Sequence, residues 1–135
     1  MNIEDLITLL RTEIEKTDIK CYSPDLPQND DKCCSISLGP GEIQRAINKN
    51  ILYYDISCYI LIRGTTNDKD TRQLADKIFR QLDMKENILL NDTRIILISC
   101  STPSYAFRDE KQRINYNINL DVKVEWRNVK STKVP

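Results

Sequence analysis

The 135-residue chain contains no histidine. Without an imidazole it lacks the usual base for a serine or cysteine nucleophile and the commonest transition-metal ligand, so Ser-His-Asp and Cys-His chemistry are excluded within it. Glycine is scarce too, with three residues, two of them in Gly39-Pro40-Gly41. Neither a G-x-G-x-x-G fingerprint nor a Walker-type G-K-[ST] occurs, which removes those routes to nucleotide binding. Nowhere is there an uninterrupted apolar run of about 18 residues, the length a helical membrane span needs. Met1 to Leu10 places Glu4 and Asp5 before a short apolar stretch, so no export signal is expected and the protein reads as cytosolic and soluble. An excess of either charge is also lacking, since Lys plus Arg and Asp plus Glu both number 20. That balance disfavours a main task of gripping DNA or an anionic membrane.

Five cysteines are present: Cys21, Cys33, Cys34, Cys58 and Cys100. An odd number in a chain without an export signal reads as reduced thiols. Adjacent Cys33 and Cys34 would point to opposite faces of a strand, which argues against a shared metal or a mutual bond. Asp25 to Asp31 lacks the alternating ligands and terminal Glu of a calcium loop. No metal and no cofactor are expected.

The richest pattern lies near the C-terminus. Ile114, Tyr116, Ile118, Leu120, Val122, Val124 and Trp126 are apolar and alternate with polar residues, which predicts a strand with one face on a core. At about 3.3 Å per residue it spans roughly 40 Å, twice the usual strand. Its other face, bearing Asn115, Asn117 and Asn119, is expected to face water or a polar partner. Leu52 to Ile62 repeats the pattern, Cys33 to Leu38 alternates more briefly, and Arg94 to Cys100 is a β-branched run suited to a central position in the sheet. Ile3, Leu6, Ile7, Leu10 and Ile14 predict an amphipathic helix over residues 2–17. Leu74, Ile78 and Leu82, behind N-cap candidates at Thr65 to Asp68, predict a second over residues 68–83. Residues 42–50 read as a flexible excursion, and Thr102 to Arg113 as a link with a polar tip.

The order helix, strand, strand, helix, strand, strand predicts an α+β fold. The expected form is a mainly antiparallel four-stranded sheet with two amphipathic helices packed on one face. Residues 1–127 would form a single domain and residues 128–135 a short flexible tail. Asp109 and Glu110 are adjacent carboxylates, but Arg108 and Lys111 beside them read as a solvated charged turn rather than an acid/base pair. Tyr53, Tyr54, Tyr59, Tyr105 and Tyr116 are better placed for sheet packing than for a base-stacking platform.

Four segments, in order, resemble the tailed-bacteriophage minor capsid proteins that are similar to tail terminators, the ring proteins at the head-proximal end of the tail tube. The first is a helix followed by Pro24-Asp25-Leu26-Pro27 and Cys33-Cys34-Ser35-Ile36-Ser37-Leu38-Gly39. The second is Tyr53 to Arg63, similar to a central strand ending in Arg. The third is Leu74 to Leu82, with the pattern L-A-x-x-I-x-x-x-L. The fourth, Pro103 to Arg113 followed by Tyr116, resembles a hairpin P-x-x-x-G-x-D-E-x-G-R-x-x-Y, with Phe107 and Gln112 where that pattern has glycines. The resemblance implies a virion structural protein without catalysis: a homo-oligomeric ring, taken as a hexamer, that caps the tail tube and helps join tail to head. Its implied partners are itself, the tail-tube protein and a head-completion or connector protein, with no membrane and no sequence-specific nucleic acid binding. Its implied location is the host bacterial cytoplasm during assembly and then the head–tail junction. Arg63, Arg108, Asp109, Glu110 and Arg113 are the candidate subunit-interface residues, as ion-pair partners between copies. An alternative reading is a small cytosolic adaptor that binds a ligand or peptide at a sheet edge.

Overall fold

The computed structural model describes residues 2–45 and 52–125. Helix α1 (Ile3–Glu15) begins where the Asn2 side chain accepts the Asp5 N–H at 3.1 Å, with Glu4 and Asp5 at the positive end of the helix dipole. It buries Leu6, Leu9, Leu10 and Ile14. Helix α2 (Asp68–Leu82) begins the same way, with Asn67 accepting from Asp70 N–H, and buries Thr71, Ala75, Ile78 and Leu82. Glu13 joins the two, bonded to Lys16 at 2.7 Å and to Gln81 of α2 at 3.2 Å.

The strands are β1 (Lys20–Tyr22), β2 (Cys33–Arg45), β3 (Leu52–Arg63), β4 (Glu86–Leu90), β5 (Thr93–Cys100), β6 (Ser104–Arg108) and β7 (Ile114–Glu125). They form one sheet in the order β1-β2-β3-β7-β5-β4, with β6 beside the first part of β7. The α+β class and the two helices are as expected, whereas the four-stranded sheet is corrected to seven strands. All pairings are antiparallel except β1 with β2. The three unexpected strands are short: β1 has three residues, and β4 and β6 have five each. Too few residues alternate in them to show a period, and in β4 the left-handed Asn87 (φ 55°) breaks it. Residues 42–45, expected as part of an excursion, continue β2. Residues 46–50, Trp126 and the expected tail lie outside the described residues.

Long strands β3 and β7 pair from Tyr53↔Glu125 to Arg63↔Asn115. Their apolar faces behave as the alternation predicts. Ile56, Cys58, Ile60 and Ile62 meet Ile118, Leu120, Val122 and Val124 in one buried cluster with the apolar residues of both helices. Of the two helices α2 lies against β7, so loss of a core position on β7 is felt first by α2. Among the described residues no helix is long and apolar enough to cross a membrane.

Candidate functional site

The expected interface residues cluster at the end of the sheet where β3 finishes and β7 starts. The β6–β7 turn is built by Asp109. Its backbone exchanges hydrogen bonds with Arg113 and Gln112, and its carboxylate accepts the N–H groups of Lys111 and Arg113, both at 2.9 Å. Gln112 takes the left-handed conformation this turn demands (φ 66°). Above the turn lies the proline-bearing loop of residues 23–32. Two arginines hold it down.

Arg113 donates Nε to Asp109 Oδ2 at 2.8 Å, Nη1 to Asp31 Oδ1 at 3.0 Å and Nη2 to the Gln28 carbonyl at 3.2 Å. Arg63 donates Nη1 to the Pro27 carbonyl and, at 3.4 Å, to that of Asp30, while its Nε lies 3.7 Å from Asp109. Arg113 is only 7% exposed, so it is not the solvated hairpin charge that its neighbours in sequence suggest. Asn115, expected on the water-facing side of β7, is 1% exposed beneath the same structure and donates to the Arg113 and Phe107 carbonyls. Its Oδ1 and the Nε of Arg63 are buried without a hydrogen-bond partner among the described residues.

Electrostatics follow from this packing. Burial pushes the Asp109 carboxyl up, but the bonds it accepts from Arg113 and Lys111 outweigh that effect and hold its pKa below the usual carboxylate range. For Arg113, burial acts downward, and Asp31 and Asp109 more than offset it. A carboxylate held this way is an anchor, since a general acid or base needs a free lone pair within reach of a substrate. A cleft of about 560 Å³ adjoins the cluster, lined by Gln28, Arg63, Phe107, Arg108, Glu110 and Lys111 among others.

The five candidate residues therefore divide. Arg63, Asp109 and Arg113 are brought together as a brace within one chain. Arg108 and Glu110 stay exposed: Arg108 bonds only the Gln112 carbonyl at 3.0 Å, and Glu110 makes no bond among the described residues. Sequence reasoning missed Asp31 and Asn115. Nothing local marks them, because the pairing of Asp31 and the burial of Asn115 depend on a loop that docks across more than eighty residues of chain.

On the face of the sheet away from the helices, Lys123 Nζ lies 3.5 Å from Asp55 and 3.3 Å from Asp121. The hydrogen bond between the two carboxyls raises the pKa of Asp55 and lowers that of Asp121. The five cysteines are all free thiols, and burial pushes Cys58 and Cys100 up to about 12, which leaves them unreactive. Cys33 and Cys34 do sit on opposite faces of β2, yet both are buried, Cys33 under the loop where its Sγ meets the Asp30 carbonyl at 3.5 Å. Among the described residues no group of three or more Cys, Asp or Glu is arranged to hold a metal ion.

Comparison with known proteins agrees with this geometry. The chain is similar in fold to a chain of a solved structure titled "Virion of native gene transfer agent (GTA) particle", with a TM-score of 0.64 at 12% identity. The match covers 90% of this chain and 95% of that one. No curated protein sequence matches. The model of the family "Bacteriophage tail terminator protein" matches residues 12–126, a span from within α1 to the end of β7. The chain belongs to the bacteriophage tail terminator family.

Proposed function

We propose that this protein is a non-catalytic virion subunit that assembles as a homo-oligomeric ring, taken as a hexamer, to cap the tail tube and join tail to head. Assembly would take place in the host cytoplasm, and the finished ring would sit at the head–tail junction with the tail-tube protein on one side and a head-completion or connector protein on the other. The single observation that carries this reading is the family match over residues 12–126. Physical support comes from the braced hairpin. Asp109 and Arg113 are bound within the chain, which leaves Arg108 and Glu110 as the exposed members of the cluster available to another copy. The cleft's most buried cation is already bound to carboxylates and carbonyls of its own chain, so a small-ligand adaptor gains no support there.

Growth of a polymer with one repeated interface stops when its end is occupied by something that matches on one side only. Deletion of the gene should therefore give capsids and tails that are unjoined, or tails of irregular length, in electron micrographs of the lysate. Normal, infectious particles with full-length tails would overturn the proposal.

A further inference from the structure

Two buried thiols meet between β1 and β2. Cys21 and Cys34 are partners in the parallel register of these strands, both are 0% exposed, and both belong to the buried apolar cluster, so their side chains share one face. Cα atoms of neighbouring strands lie about 4.8 Å apart, inside the roughly 4.4–6.8 Å that a disulfide spans. A hydrogen bond between the two thiols, together with burial, holds the Cys34 pKa well above the usual thiol value, and Cys21 Sγ also donates to the Tyr22 carbonyl at 3.8 Å. No other two of the five cysteines are placed in this way. Cys33 turns to the opposite face of β2, and Cys58 and Cys100 are held one strand apart, each paired with Leu120 of β7.

Position gives this pair more than core filling to do. β1 has three residues and pairs with no strand but β2. Such a short edge strand opens far more often than the body of a sheet. The Cys21 N–H donates to Glu15 Oε2 at 3.1 Å and its carbonyl accepts from Arg11 Nε at 3.0 Å, so α1 holds anchors that return an opened β1 to the same register. Between the two cysteines runs the loop of residues 23–32, whose carbonyls and Asp31 are gripped by Arg63 and Arg113. A bond from Cys21 to Cys34 would close that loop at its base.

We propose that Cys21 and Cys34 are a latent disulfide, open among cytosolic reductants and closed by a peroxide in their absence, which ties the loop over the arginine brace covalently. The step balances. When β1 opens, the Cys21 thiolate attacks hydrogen peroxide: an S–O bond forms, the O–O bond breaks, and hydroxide leaves and takes up the thiol's proton as water. When β1 docks again, the Cys34 sulfur displaces the hydroxyl of the Cys21 sulfenic acid, the S–S bond forms, and the hydroxyl departs with the Cys34 proton as a second water. Two electrons pass from the sulfurs to the peroxide. Departure from the cytosol rests on the reading of the protein as a virion subunit, but the thiol chemistry needs no assembly.

Thiol mapping tests it. The reduced protein, freed of reductant, is treated with hydrogen peroxide at about pH 8, where an opened thiol of pKa about 8.5 is partly ionised. It is then blocked with N-ethylmaleimide in denaturant and digested with trypsin. Cleavage after Lys20, Lys32 and Arg45 puts Cys21 on peptide 21–32 and Cys34 on peptide 33–45. Two of the five free thiols should disappear, and the two peptides should run as one crosslinked species that dithiothreitol separates. Because peptide 33–45 also carries Cys33, Cys33→Ala should keep the crosslink and Cys34→Ala should abolish it. If Cys34→Ala does not fold, fragmentation of the wild-type crosslinked species assigns the sulfur. The oxidised protein should melt several degrees above the reduced one and fall back on reduction, since the bond restricts the unfolded chain. Five thiols left after peroxide, a crosslink through another cysteine, or sulfinic acid without a crosslink overturns the latent disulfide. A crosslinked protein that melts no higher overturns the tying of the loop. All of these outcomes leave the tail-joining reading untouched, because micrographs of the deletion lysate decide that separately.

Discussion

Replacement of Arg113 by methionine keeps much of the side chain's aliphatic bulk and deletes the guanidinium that holds loop, turn and strand together. The Asp109 carboxylate loses its 2.8 Å partner while its side chain stays 15% exposed, and the Gln28 carbonyl loses a donor at 3.2 Å. Removal of one member of a buried pair costs about 3–5 kcal/mol. The lower part of that range applies here, because Asp109 retains its two backbone donors and some contact with water. Asp31, with 57% of its side chain exposed, adds at most about 1 kcal/mol. The sum is about 3–4 kcal/mol for Arg113→Met and more for Arg113→Glu, which sets a third carboxylate against Asp109 and Asp31. Urea unfolding followed by circular dichroism measures it, and a double-mutant cycle with Asp109→Asn should return a coupling of at least about 1 kcal/mol. The pH dependence has a definite sign. A carboxyl with a depressed folded pKa contributes stability above its unfolded value of about 3.9 and loses it as pH falls through the folded value. The gap between wild type and Arg113→Met should therefore be full at neutral pH and shrink below about pH 4. A gap under about 1 kcal/mol at pH 7, or one that does not change with pH, would refute the brace.

Leu120→Asp places an unpaired charge mid-strand on the core face of β7, where Leu120 is 3% exposed, and should cost more than about 3 kcal/mol or prevent folding. Asn119→Asp, one residue away on the exposed face, should stay within about 1 kcal/mol, and equal melting curves for the two would remove the face assignment. Gly64→Ala would put its Cβ 2.0 Å from Thr71 Oγ1 and 2.6 Å from Thr71 Cβ, against a buried residue of α2 whose hydroxyl donates to the Asn67 carbonyl and accepts the Thr65 N–H. Its expected cost is about 2–3 kcal/mol, and an unchanged Tm would show that α2 shifts without penalty. Gln112→Gly relieves a left-handed residue and should be neutral or stabilising by up to about 1 kcal/mol in urea unfolding, whereas a clear loss would mean that the Gln112 side chain has a role beyond the turn.

What could be read in advance was whatever is local and periodic. Strands β3 and β7 announce both their existence and their faces, because twelve residues of strict alternation leave one solution for the core. The helices announce themselves through their apolar stripes and, for α2, through the cap candidates that include Asn67, although Ile3, the first apolar residue of the α1 stripe, turns out exposed. The site was half legible. Its five candidate residues do gather at one end of the sheet, yet Arg113 and Asp109 read as a solvated turn because the groups that bury them come from residues 23–32. A charge's burial is decided by what packs over it, and no window around Arg113 contains that loop. The glycine expected at position 112 was informative in its absence. The backbone there is left-handed as such a glycine would be, so the turn survives with Gln112 bearing the strain.

Self-association, as proposed, would also make sense of the chain's overall neutrality. Copies of net charge z would repel one another in proportion to z squared, so a ring of strongly charged copies would work against its own closure. With 20 basic and 20 acidic residues that global penalty vanishes, and only the placement of the charges is left to act. In this fold the placement is uneven. Charges in the middle of the bare face pair within the chain, as Lys123 does with Asp55 and Asp121, and those under the loop are bound into the brace. If exposed charges hold copies of this chain together, raising the salt from about 0.05 to 0.5 M should weaken association steadily, while an association that is insensitive to salt would assign the contact to apolar surface.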